Sequence, residues 1–108
     1  MAFTGSILAN GQLPNAKGTL YTVPALTNAF VKFINAYNSG GGTEAVKFYV
    51  KKSAGTSRVL AVGTMATKEQ LRAIDKDETL NLAAGDVIEG ETTTAATVDY
   101  LITGVEQT

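Results

Sequence analysis

Turn-forming residues punctuate this chain, and the runs between them read as short strands. Asn10-Gly11, the stretch 38–43 with its three consecutive glycines, Ser53-Ala54-Gly55 and Ala84-Gly85-Asp86 divide it, and each combines residue types that favour tight turns. The intervening runs are rich in β-branched and aromatic residues: 19–23, 29–37, 45–51, 57–62, 79–82, 87–91 and 97–105. Seven short strands are predicted from them, with 6–9 as a possible eighth.

Side-chain period assigns faces. Val46, Phe48 and Val50 alternate with Lys47, Tyr49 and Lys51, and Val98, Tyr100 and Ile102 alternate with Asp99, Leu101 and Thr103, as in half-buried strands. In 29–37, Val31 and Phe33 on one face oppose Phe30 and Ile34 on the other. A strand apolar on both sides belongs at the centre of a sheet or at a contact with another subunit. The glycine stretch is expected to join it to 45–51 as an antiparallel hairpin, with a tip that is mobile or held by a partner. One segment argues for helix: at 67–74, Thr67 and Gln70 resemble a capping box, and Leu71 and Ile74 stand three apart.

The expected fold is therefore all-β: an antiparallel, jelly-roll-like β-sandwich of about seven or eight short strands with an N-terminal arm. Residues 1–15 form the arm or a first strand, and 16–108 a single sandwich domain. At 108 residues such a domain buries roughly two thirds of the surface its unfolded chain exposes.

Composition removes most chemistry. The absence of cysteine excludes disulfides, zinc-thiolate sites and thiol nucleophiles. Without histidine, Ser-His-Asp, Cys-His and His-metal mechanisms go too. Nine basic against ten acidic residues provide no net field to attract nucleic acid or an anionic membrane. The first 15 residues lack the basic start of a signal peptide. No enzyme activity, cofactor or metal is expected.

Each remaining candidate site has a plainer reading. Asp75, Asp77 and Glu78 fall short of a calcium loop, since Lys76 interrupts them and no turn glycine or distal Glu follows. Gly40-Gly41-Gly42 lacks the Lys-Ser or Lys-Thr pair of a phosphate cradle. Lys47, Lys51, Lys52 and Arg58 around Tyr49 could suit single-stranded nucleic acid, but lysine at alternate positions also protects a solvent-facing strand. Glu89, Glu91 and Asp99 could pair as acid and base, yet carboxylates on outer strand faces are common. For glycan binding the chain has no Trp, leaving Tyr21 and Tyr37 as platform candidates.

The N-terminal segment carries Phe3, Ile7, Leu8 and Leu13 with no charge between them. Exposed apolar segments promote association, so these four are interface candidates, with Phe30 and Ile34 from the two-faced strand. The segment either lies on a neighbouring subunit or forms the first strand of its own sandwich.

Taken in order, Gly11-Gln12-Leu13-Pro14, Thr19-Leu20-Tyr21-Thr22-Val23-Pro24-Ala25, Phe48-Tyr49-Val50, Gly55-Thr56-Ser57-Arg58, Thr79-Leu80-Asn81-Leu82-Ala83-Ala84-Gly85-Asp86, Ile88-Glu89-Gly90 and Val98-Asp99-Tyr100-Leu101-Ile102-Thr103-Gly104-Val105-Glu106 resemble a recurrent pattern in small virion proteins of tailed bacteriophages. The resemblance spans nearly the whole chain. It implies a β-sandwich of the head decoration (cement), collar or fibre-associated type, made in the host bacterial cytoplasm. It further implies a homo-oligomer, often a trimer, bound to the major capsid protein on the outer head surface, or alternatively to portal, collar or tail proteins.

Overall fold

A computed structural model describes residues 3–74 and 78–108. Nine strands account for most of them: β1 (Phe3–Gln12), β2 (Gly18–Thr22), β3 (Asn28–Asn38), β4 (Glu44–Lys51), β5 (Ser57–Met65), β6 (Gln70–Ile74), β7 (Leu80–Leu82), β8 (Val87–Thr92) and β9 (Val98–Gln107). All pair antiparallel. One sheet has the order β1-β9-β3-β6, with β7 also on β3, and the other β2-β8-β4-β5. Consecutive strands thus alternate between sheets through much of the chain, which makes the sandwich a jelly roll of two interleaved Greek keys. As expected for its two-sided apolar character, β3 lies inside its sheet, between β9 and the short strands β6 and β7. The N-terminal segment, left open by the sequence, pairs with β9 of its own chain from Phe3↔Gln107 to Gln12↔Asp99.

Alternate side chains from the two inner faces fill the core. Val31, Ile34, Ala36, Val98 and Ile102 of the five-stranded sheet and Val46, Phe48 and Ile88 of the four-stranded sheet are all buried, with Leu13, Val23 and Met65 closing the ends. At about 25 cal/mol per Å² of apolar area, each of the larger side chains contributes roughly 1.5–3 kcal/mol.

Bulges interrupt this alternation. Register shifts leave Leu8, Leu20, Lys32, Leu60 and Ala73 without a directly opposed residue in β1, β2, β3, β5 and β6. Each extra residue resets which side chains face inward, and two of the three expectations that change do so as a result. In β3, Val31 and Ile34 both point into the core, while Phe30 and Phe33 are half-buried on the opposite side. The predicted helix at 67–74 is a turn followed by β6: the Glu69 amide donates to the Ala66 carbonyl at 3.1 Å, and Leu71 and Ile74 share the inner face because Ala73 is bulged. The three-residue spacing came from a bulge, whose phase step imitates a helical turn over so short a run.

The third change concerns the glycine stretch, which crosses from one sheet to the other and forms no hairpin, since β3 and β4 lie in different sheets. Asn38 organises the crossing. Fully buried, it donates through Nδ2 to the Gly42 and Met65 carbonyls at 2.7 and 3.1 Å and accepts from the Gly40 amide at 3.0 Å. The Thr97 carbonyl receives the Ser39 and Gly40 amides at 2.9 and 3.1 Å. The tip is therefore tied down within the chain, with no partner needed.

Candidate functional site

Each sheet has one face in the core and one turned outward, and the two outward faces differ in chemistry. On the five-stranded sheet, register and alternation place Phe30, Phe33, Asn35 and Tyr37 of β3 beside Val105, Thr103, Leu101 and Asp99 of β9, with Ile7 of β1 opposite Thr103. Apart from the exposed Ile7 and Asp99, these side chains are half-buried. Ile7 is 58% exposed. The guanidinium of Arg72, from β6, stands 5.7 Å from the Phe33 ring centre, close enough for cation–π attraction. Asn35 adds a polar irregularity: its side-chain oxygen is buried and has no hydrogen-bond partner among the described residues. Leaving such a group unmet costs about 1–3 kcal/mol.

The four-stranded sheet presents an ionic ladder. Lys47 stands directly opposite Glu91, and Tyr49 opposite Glu89. The Tyr49 hydroxyl donates to Glu91 Oε2 at 2.7 Å, the Ser57 hydroxyl donates to Glu89, and Lys17 Nζ lies 5.1 Å from the Tyr49 ring centre. The Tyr49 hydroxyl is held above its ordinary pKa chiefly by the bond to Glu91. Of the basic cluster seen in the sequence, Lys47 stands opposite Glu91 and Lys52 pairs with Asp86 at 3.0 Å, whereas Lys51 and Arg58 stand opposite valines.

Two acids brace the ends of this sheet. Asp86 accepts from the Ser53 and Ala83 amides and from Lys52 Nζ, each at 3.0 Å. Its burial opposes ionisation, but those three donors outweigh it and keep the carboxyl below its usual pKa. Glu44 is held below its ordinary value first by the Thr94 amide, at 2.7 Å, against the opposing effect of burial and with help from the Thr92 hydroxyl. Across the sandwich, the Tyr21 hydroxyl donates to Glu106 Oε2 at 2.5 Å, and burial together with that carboxylate raises the phenol's pKa.

The six interface candidates separate. Ile7 and Phe30 lie on the outer apolar face; Leu8 packs half-buried against the core. Leu13 and Ile34 are wholly enclosed within the chain, so neither can meet a partner: Leu13 sits at the corner where β1 turns toward β2, and the Lys32 bulge turns Ile34 inward. Phe3 enters only through its backbone pairing with Gln107. Phe33, Leu101 and Val105 were missed. The apolar Leu101 among outward residues of β9 was the available signal.

The other candidate groups do not converge. Glu89 and Glu91 share the ladder face, whereas Asp99 belongs to the other sheet. Asp75 and Asp77 lie outside the described residues, among which no group of three or more potential ligands is placed to hold a metal ion. Of the glycan-platform candidates, Tyr21 is buried and Tyr37 half-buried. A shallow groove of about 260 Å³ lined by Asn28, Phe30, Lys52, Asn81, Leu82 and Ala83 opens at one end of the sandwich.

No family model matches the chain, and no curated protein matches it. Among solved structures, a chain of "Structure of infectious bursal disease virus Gt strain" is similar over 97% of this protein, with 12% identity and a TM-score of 0.37. This protein spans about a third (32%) of that chain. So low a score carries no argument.

Proposed function

We propose that this protein is a structural subunit of a tailed-phage particle, a head decoration (cement) protein that binds the major capsid protein and associates with further copies of itself, as a trimer. The observation that carries this reading is the half-buried apolar face of the five-stranded sheet, opposite a face whose middle carries Lys47, Tyr49, Glu89 and Glu91. A monomer acting alone in water gains nothing from such a face. The molecule measures 45 × 27 × 20 Å, so its broad side exceeds the roughly 800 Å² per partner that standard interfaces bury. The jelly-roll order is consistent with this role, since viral capsid domains use it, though lectins and cupins do as well. The motif resemblance along the chain selects the phage virion from that group.

Counting labelled copies on purified particles tests the proposal. Hundreds of copies spread over the head support it; about a dozen at one vertex indicate a collar or neck protein instead. Heads lacking the protein should lose heat resistance and regain it when the protein is added back. A purified protein with no affinity for particles, or one that turns over a substrate, would refute the reading.

A further inference from the structure

The four-stranded sheet ends at β5, a long and weakly protected edge. Among the described residues only β4 pairs with it, leaving one side of its backbone ladder available. Its sequence, Ser57-Arg58-Val59-Leu60-Ala61-Val62-Gly63-Thr64-Met65, contains no proline or lysine and one charge. Val59 and Val62 are 61% and 57% exposed.

The Leu60 bulge places the centre of this edge's facing pattern between two residues. Opposite β4, Ser57, Val59, Val62 and Thr64 face outward, while Arg58, Ala61 and Gly63 take inward-facing positions. About a point between Leu60 and Ala61 the pattern reads the same in both directions: Ser57 matches Thr64, Arg58 matches Gly63, and Val59 matches Val62. A contact between identical subunits across a twofold axis requires this reciprocity, because each residue must fit its counterpart both ways. The chemistry fits as well as the facing. Two hydroxyl residues meet, a bulky arginine meets a glycine, and two valines form cross-strand pairs of the kind that stabilise sheets.

We infer that β5 pairs antiparallel with β5 of a second copy of this chain, across a twofold axis between Leu60 and Ala61, to make one continuous eight-stranded sheet. A one-residue slip would oppose inward to outward side chains and is disfavoured. Edge pairing buries less than a standard interface, so the contact is weak in dilute solution and strengthens where copies are crowded. It is independent of the virion reading and of the apolar face.

Cysteine pairs test the register in purified full-length protein. In the inferred arrangement residue 59 of one copy faces residue 62 of the other, within the 4.4–6.8 Å Cα separation that disulfides need. Because the bulge sets Val59 and Val62 opposite residues two apart on β4, residue 59 and its own symmetry mate are about 7 Å apart along the strand and further once the distance between strands is added, as are the two copies of residue 62. The double variant Val59→Cys/Val62→Cys should therefore form a disulfide-linked dimer under mild oxidation, with at least about tenfold the yield of either single variant. Val62→Lys in the otherwise unaltered protein should weaken concentration-dependent dimerisation about tenfold by sedimentation, without changing the circular dichroism spectrum. A double variant that stays monomeric, or singles that cross-link as well as the double, would overturn the inference. The assay contains no particles, so its failure leaves the decoration reading untouched.

Discussion

The outward faces of the two sheets follow opposite rules although the strands beneath them are built alike. On the four-stranded sheet, Tyr49 donates to Glu91 and Ser57 to Glu89, Lys47 stands opposite Glu91, and the exposed Val59 and Val62 are confined to the β5 edge. On the five-stranded sheet, Phe33, Leu101 and Val105 are half-buried and the Asn35 oxygen lacks a partner among the described residues. The difference teaches where the molecule stores unspent binding capacity. Charge pairs already compensated in water gain little from a partner, whereas apolar area gains on burial in proportion to its extent.

The largest effects should come from substitutions that separate the two sheets as structures. A Cβ on Gly104, in the five-stranded sheet, would lie 2.3 Å from the Phe30 carbonyl oxygen and 3.0 Å from the Val31 Cα, whereas one on Gly90, in the four-stranded sheet, would meet the side-chain tips of Leu20 and Leu13 at 2.8 and 3.0 Å. Backbone cannot yield as side chains can. Gly104→Ala should destabilise by about 3 kcal/mol or more and Gly90→Ala by about 1–2 kcal/mol, read from denaturant midpoints. Equal costs would show that β3 and β9 can part as readily as side chains shift.

Function should divide along the same line. Phe33→Asp places a charge in the middle of the apolar face and should weaken particle binding about a hundredfold, a loss near 2.7 kcal/mol, while leaving the fold intact. The matched change Lys47→Asp on the ladder face should alter binding less than about threefold. Reversed sensitivities would move the docking surface to the charged side.

This division was only partly visible beforehand. The turn residues marked where strands end, and the apolar richness of β3 correctly placed it inside a sheet. Inner and outer residues were misassigned in β3, and β6 was read as helix, because one unpaired residue inverts the alternation beyond it. Val31 and Ile34, Leu71 and Ile74, and Val59 and Val62 all stand three apart on a common side for this reason. A single sequence offers helical spacing and bulged spacing in the same form. The crossover at Asn38 was equally hidden, since its side chain joins the nearby Gly40 and Gly42 to Met65, 27 residues on, a link that local turn chemistry does not supply.

Acid should erode the four-stranded side selectively. Asp86 and Glu44 both have pKa values below their ordinary 3.8 and 4.5 when folded. Their stabilising contribution is therefore complete above the unfolded values and disappears as pH falls through the folded ones. Thermal midpoints should be flat from pH 7 to about 5 and fall below about pH 4. The double variant Glu44→Gln/Asp86→Asn should be less stable at pH 7 and show a shallower acid slope. An unchanged slope would assign acid sensitivity to other carboxyls.

The smallest predicted effect examines whether the ladder is as self-sufficient as its pairing suggests. Tyr49→Phe deletes the hydroxyl that donates to Glu91 but retains the ring beside Lys17. Glu91 is only half-buried, so water can replace the lost donor, and Lys47 remains opposite it on β4. The cost should be about 0.5–1 kcal/mol, below the roughly 1.5–3 kcal/mol of a hydrogen bond to a charged group because water takes over, with particle binding unchanged. A loss above about 2 kcal/mol would mean that the ladder is less open to solvent than its exposure indicates. Loss of binding at unchanged stability would instead place Tyr49 in a contact, and the contrast between the two faces would then lie in the kind of partner each accepts.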